Sequence, residues 1–122
     1  MILIGDKLIP FENMYKVNNL SDIQDSTANS TISFGYNENL MKYSSENSLP
    51  YAVVVGSIKE SIYANALNAK YIIASKELAS TLQKIAENYM FDAKILAIIE
   101  SDDEIEEIAL NEIDGVIYKT AL

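Results

Sequence analysis

The chain has 122 residues, a net charge of −9, 49% apolar residues, and no Cys, His or Trp; all nine basic residues are lysines. These absences exclude disulfides, thiolate or imidazole catalysis, sulfur-ligated zinc and iron–sulfur centres, and guanidinium clamps on phosphate. The acidic charge argues against nucleic acid as a partner, because non-specific affinity depends on neutralising phosphates with Lys and Arg.

The length predicts one domain over residues 1–122, since a chain of this size buries roughly two thirds of its unfolded surface. Apolar runs such as Ile95 to Ile99 are far shorter than the roughly 20 residues that span a bilayer. The N-terminal apolar stretches are too short for a signal peptide. We therefore expect a cytoplasmic protein that does not associate with membranes.

Residues 1–30 are expected to form an N-terminal extension. Met1 to Ile4 and Leu8 to Ile9 flank a turn, which predicts a β-hairpin. Met14 to Val17 indicates a further short strand. Ser21 to Gln24 has the spacing of a capping box, which predicts a brief helix.

After a loop predicted for residues 24–31, the chain alternates strands and helices. The strand segments are apolar at almost every position, as in parallel sheets covered by helices. They are Thr31 to Tyr36, Tyr51 to Val55, Tyr71 to Ala74, Ile95 to Ile99 and Val116 to Tyr118. Short joins between helices and strands require parallel pairing through right-handed crossovers. In the helix after residue 57, Ile58, Ile62, Ala66 and Ala69 repeat every three or four residues and define one face.

We predict an α/β fold with a mostly parallel five-stranded sheet in three layers, extended by the N-terminal hairpin. The repeated helix-to-strand passages at residues 66–73 and 109–117 fit this repeating core, which covers residues 31–122. A fragment of a barrel is the alternative. A complete eightfold barrel needs about 250 residues, so the chain alone is too short for one.

Ligands of such sheets usually bind where strands end and helices begin. We predict six candidate ligand-binding residues at that edge, namely Gly35, Gly56, Ser75, Glu100, Ser101 and Lys119. The glycines either make room for a ligand or serve turns, and the chain has no glycine-rich phosphate motif.

Polar residues at the same edge suit a different role. Asn37, Ser57, Ser75 and Ser101 are placed to cap the following helices, where their side chains would compete with a phosphate for the same N–H groups. Glu100 beside Glu38 would suit an oxygen-ligated Mg²⁺, but acidic residues at a helix start are expected from the helix dipole alone. We predict no metal, no cofactor and no catalytic residue.

The order of strands and helices from Thr31 to Thr120 resembles receiver, or flavodoxin-like, domains. In receivers the corresponding strand ends hold a phosphoacceptor aspartate, a hydroxyl residue and a lysine. Ser101 and Lys119 match in type, whereas Ser75 cannot form an acyl phosphate. Tyr36 and Asn37 replace the acidic pair that binds magnesium. The resemblance implies a degenerate receiver without phosphotransfer.

Glu112 to Ile117 is similar to the helix-to-strand passage of (βα)-barrel aldolases and isomerases. That resemblance implies a Schiff-base role for Lys119, which needs a depressed amine pKa. The alternative is a solvated lysine after a last strand, which the acidic chain favours.

We therefore expect a small non-enzymatic binding or assembly module. A sheet face that lacks its last helix needs a cover, either from the N-terminal hairpin or from a second copy, so we expect a homodimer and allow for another protein partner. The alternative is an enzyme or small-ligand binder that uses Glu100, Ser101 and Lys119.

Overall fold

The computed structural model describes residues 1–26 and 30–122; part of the loop predicted between residues 24 and 31 lies outside them. Within the described residues seven strands form one all-parallel sheet. They are β1 (Ile2–Ile4), β2 (Met14–Lys16), β3 (Thr31–Gly35), β4 (Tyr51–Val54), β5 (Tyr71–Ala74), β6 (Lys94–Ile99) and β7 (Gly115–Tyr118). The α-helices are α1 (Leu20–Gln24), α2 (Glu38–Glu46), α3 (Ile58–Ala66), α4 (Lys76–Asn88) and α5 (Ile105–Leu110), with 3₁₀ turns at Asp102–Glu104 and Lys119–Ala121.

The sheet has the order β1-β7-β6-β5-β4-β3-β2 and curls into a half-barrel. From β3 to β7 each strand lies beside its neighbour in sequence, so the strand order does not reverse. The α/β class and the parallel pairing are confirmed. The prediction of five strands is wrong, because β1 and β2 add an edge strand at each end of the sheet.

The prediction of three layers is also wrong. Successive right-handed crossovers between adjacent strands place α2 to α5 on one face. One cluster of buried side chains joins that face to the helices and includes Leu40, Leu82 and Ile108. A separate cluster on the inner, concave face contains strand residues such as Ile73 and Ile117, but no residue of these helices.

The prediction of an N-terminal hairpin is wrong, because residues 8 and 9 belong to no strand and β1 pairs in parallel with β7. Gly115 of β7 permits this pairing: a Cβ there would come within 2.5 Å of the Ile2 carbonyl oxygen. At the other end of β1, Gly5 has a φ of +97°, which glycine adopts without strain, and turns the chain away from the edge.

Residues 5–13, which we call the inner segment, connect the two edges of the sheet across its concave side. Near its end, the Glu12 carboxylate accepts hydrogen bonds from Thr31 at the start of β3 and Tyr71 at the start of β5. At the carboxyl edge, the Lys16 ammonium of β2 donates to the main-chain oxygen of Leu122. The chain therefore covers its own inner face, without a hairpin.

Side chains cap the helix starts. Asn37, Ser57 and Ser75 accept hydrogen bonds from main-chain N–H groups in the first turns of α2, α3 and α4, and Ser101 caps the Asp102–Glu104 turn, which confirms the four predicted caps. The short helix α1 is capped by Asn19 instead of starting at the predicted capping box.

Candidate functional site

The carboxyl edge of the sheet carries all six candidate ligand-binding residues. Because the strands are parallel, Gly35 ends β3, Gly56 follows β4, and Ser75 follows β5 on the same edge. Glu100 and Ser101 follow β6, and Lys119 follows β7. Residues at the same edge do not all touch, and the hydrogen bonds of each side chain show which of them are in contact.

The two serines are engaged by their own helices. The Ser75 hydroxyl accepts from the Leu78 N–H at 3.3 Å. The Ser101 hydroxyl accepts from the Asp103 N–H at 3.2 Å, while Glu104 accepts from the Ser101 N–H and completes a capping box. These hydroxyls and N–H groups satisfy one another, so they offer little to an anionic ligand.

Glu104 also ties the turn after β6 to α4. Its carboxylate lies 2.8 Å from the Lys76 ammonium. That contact, with hydrogen bonds from the Glu100 and Ser101 N–H groups, lowers the pKa of Glu104 to about 2. Part of the acidic run at residues 100–107 is therefore used to anchor its own helix start.

The two glycines differ in their surroundings. The Gly56 N–H donates to the Glu60 carboxylate at 2.8 Å, and an added Cβ would lie 3.8 Å from the same oxygen. An added Cβ on Gly35 would meet no atom of the described residues within 4 Å. Gly35 borders a cavity that Lys16 and Leu122 also line.

Glu100 and Lys119 are brought together. The Lys119 ammonium lies 3.8 Å from the Glu100 carboxylate, beside a surface cavity of about 380 Å³ that Thr120 also lines. The Lys119 and Glu100 side chains are 69% and 76% exposed, so water screens their interaction. An ion pair of this kind lacks the burial that a Schiff-base lysine needs.

The alternative of a Mg²⁺ site between Glu38 and Glu100 does not fit the topology. Glu38 starts the helix after β3, whereas Glu100 follows β6, and β4 and β5 lie between those strands. Neighbouring strands are about 4.8 Å apart, so the two strands are separated by roughly 14 Å. Among the described residues no group of three or more acidic side chains could hold a metal ion.

Glu12 is the centre of a polar cluster on the inner face, and the sequence pattern did not single it out. Its carboxylate accepts from the Tyr71 hydroxyl at 2.6 Å, the Thr31 hydroxyl at 2.9 Å and the Lys70 ammonium at 3.0 Å. Burial by itself raises the pKa of Glu12, but these donors outweigh it and the pKa lies below its usual value. Burial and the bond to Glu12 raise the pKa of Tyr71 to about 12. The cluster holds the inner segment against the starts of β3 and β5.

Helix α3 presents its largest apolar side chains to solvent. Ile58 is 41% exposed, Ile62 49% and Tyr63 48%. Three members of the predicted helix face, Ile58, Ile62 and Ala66, are therefore exposed, and Ala69 is buried.

Neither a protein-family model nor a curated protein matches this sequence. Of the helices that the structure describes, none has the length and apolar character needed to cross a membrane.

Proposed function

We propose that this protein is a non-enzymatic assembly module that acts as a homodimer, in which two copies pair through the outward face of α3. The observation that carries the proposal is the exposure of Ile58 and Ile62, which lie one turn apart on that face. Apolar side chains at positions i and i+4 form a continuous stripe along a helix. Such a stripe is stabilised when another apolar surface covers it.

The packing of α3 explains why these large side chains remain outside. Ser61 and Ala64, both fully buried, face the sheet in their place. The Tyr51 hydroxyl of β4 reaches beneath the helix, donates to the main-chain oxygen of Leu67 at 2.8 Å and lies 3.3 Å from that of Ala64. Small residues let the helix approach the sheet closely, so no room remains there for the isoleucines.

The outward stripe suits a symmetric pairing. Ala66 continues the line of Ile58 and Ile62 at the next turn, and its small side chain permits close approach of a second helix. Two antiparallel copies of α3, related by a two-fold axis near Ile62, would bring Ile58 of each copy toward Ala66 of the other. A two-fold interface joins the same surface of both subunits, and it is the commonest form of oligomer.

The charge distribution favours a second copy as the occupant. The chain carries −9 overall, but α3 holds one lysine and one glutamate, Lys59 and Glu60, and is neutral. The Glu60 carboxylate is bound to the Gly56 N–H, and the Lys59 ammonium lies over the Tyr63 ring. Pairing through α3 therefore keeps the acidic turn at residues 100–107 away from the contact and avoids repulsion between like charges.

The state of the strand ends supports a module in preference to an enzyme. The Ser75 and Ser101 hydroxyls serve as helix caps, and Glu100 and Lys119 form an exposed pair. Enzyme sites bring groups with perturbed pKa values together in a concave pocket. The alternative use of Glu100, Ser101 and Lys119 by an enzyme is supported by the 3.8 Å approach of the ion pair and by the surface cavity beside it, but both side chains of the pair are largely exposed.

The first experiment measures the mass of the protein in solution by light scattering after size exclusion, over a range of micromolar concentrations. We expect a dimer for the native sequence and a monomer for Ile62→Glu, because a buried, unpaired carboxylate is strongly unfavourable. Leu110→Glu is the matched control: Leu110 is 84% exposed on α5, and the variant should remain a dimer. A native protein that is monomeric throughout would overturn the proposal.

A further inference from the structure

A cavity of about 200 Å³, partly open to solvent, lies at the carboxyl ends of β2 to β5 on the concave side of the sheet. Its apolar wall includes Val54 of β4, Ile73 of β5 and the C-terminal residue Leu122. Lys16 and Ser33, paired across β2 and β3, supply its polar side. Apolar walls with a few converging polar groups are the usual composition of a small-molecule site.

The orientation of these side chains follows from strand alternation. Ile32 and Phe34 of β3 point to the helices and belong to the outer cluster. Ser33 and Gly35 therefore point to the concave side, because successive residues of a strand face opposite ways. Gly35 leaves open space at this point, since an added Cβ would have no neighbour among the described atoms within 4 Å.

Leu122 indicates which chemistry the cavity accepts. Its main-chain oxygen receives a hydrogen bond from the Lys16 ammonium, and its side chain packs against the inner apolar cluster. A small carboxylic acid could make the same two contacts: its carboxylate oxygen would accept from Lys16, and its hydrocarbon chain would pack against the sheet. A lysine ammonium has three N–H donors, so Lys16 can donate to a ligand while it keeps its hydrogen bond to Leu122.

We infer that this cavity is a binding site for a short-chain aliphatic carboxylate, whose carboxylate pairs with Lys16 and whose hydrocarbon lies against Val54 and Ile73. The cavity volume of about 200 Å³ is below the roughly 300–1,000 Å³ of drug-sized ligand sites, which limits the ligand to a small acid. A phosphate ester fits less well, because it needs several donors, and the nearby α2 helix start is already capped by Asn37.

The test is a titration of the full-length protein with hexanoate, followed by two-dimensional ¹H–¹⁵N NMR. Saturable shifts should be concentrated at Val17, Gly35, Val54, Ile73 and Leu122. The uncharged 1-hexanol should bind at least tenfold more weakly, since a hydrogen bond to a charged partner corresponds to about a factor of ten or more in affinity. No saturable shift at these residues, or equal binding of hexanol, would overturn the inference.

Two variants and a control separate a built site from general adsorption. Lys16→Gln should weaken hexanoate binding at least tenfold, and Gly35→Val should abolish it by filling the open space. Gly35→Ala, a smaller change, should weaken binding if the valine variant does not fold. Lys42→Gln, an exposed lysine of α2, should bind like the native protein. Equal affinity in all variants would overturn the inference.

Discussion

Glu12 illustrates how much a single carboxylate contributes to this fold. It joins the inner segment to the amino ends of β3 and β5 through partners that lie 19, 58 and 59 residues away. Hydrophobic periodicity describes neighbours within one helix or strand, so it contains no signal for such a contact. Lys16 was missed in the same way, because its partner Leu122 is 106 residues distant. Gly35 could be named as a candidate from the sequence, since a glycine at a strand end is visible locally, and its role in ligand binding stays a prediction.

At this scale we predict that Glu12→Gln lowers the free energy of unfolding at neutral pH by about 1–2 kcal/mol, the range for a partly exposed, charge-assisted hydrogen-bond cluster. The folded protein holds the pKa of Glu12 below its usual value. The native protein is therefore more stable than Glu12→Gln above the unfolded pKa of about 4.3. This difference in the free energy of unfolding is lost as the pH falls through the lower folded pKa.

Urea denaturation of the native protein and the variant at a series of pH values measures this difference. Glu46→Gln, an exposed carboxylate of α2, is the control and should change stability little. An advantage of the native protein that stays constant down to the lowest pH would contradict the role of the charged carboxylate.

At the scale of elements, four helices end in the same way. The second residue after α2, α3, α4 and α5 has a positive φ, and these residues are Ser48, Asn68, Met90 and Glu112. At the end of α4, the Met90 N–H donates to the Glu87 oxygen and the Phe91 N–H to the Ala86 oxygen, which is the Schellman arrangement. The N-terminal caps were predictable because Ser and Asn mark them. The C-terminal motif was harder to predict, because none of these four positions is glycine and only Asn68 is another residue that readily adopts a positive φ.

We predict that Met90→Gly stabilises the protein by about 1 kcal/mol, because glycine adopts a φ of 53° without the steric strain of a side chain. The gain is limited by the greater entropy of glycine in the unfolded chain. Glu87→Gly, three residues earlier within α4, should have the opposite effect and lower the free energy of unfolding by about 1 kcal/mol. Thermal or urea denaturation distinguishes the two, and a loss of stability in Met90→Gly would contradict the strain argument.

Helix α3 shows where periodicity misleads at this scale. Ile58, Ile62 and Ala66 have helical spacing, and that spacing correctly predicts one face of a helix. It does not say which partner covers the face. The sheet side is instead occupied by Ser61 and Ala64, which are small enough for the underlying Tyr51 to bond to the helix backbone.

At the scale of the whole molecule, the sequence predicted the α/β class and the parallel pairing of the central strands, because these follow from alternating buried segments. The half-barrel agrees with the alternative of a barrel fragment, which the sequence left open beside the three-layer sheet. Strands were indicated at β1 and β2, but three residues each are too few to show that they pair in parallel at the two edges. The pairing of β1 with β7 joins opposite ends of the chain through the close approach at Gly115, which local sequence does not predict.

The account rests on the pairing of two copies through α3, and a single cysteine at the centre of the stripe tests it most directly. The native chain has no cysteine, so Ile62→Cys introduces the only thiol. Across a two-fold axis near residue 62 the two thiols would be neighbours, and we predict rapid oxidation to a disulfide-linked dimer at micromolar concentration. Leu110→Cys, on exposed α5, should remain largely unlinked. Equally slow cross-linking of both variants would contradict the proposed dimer.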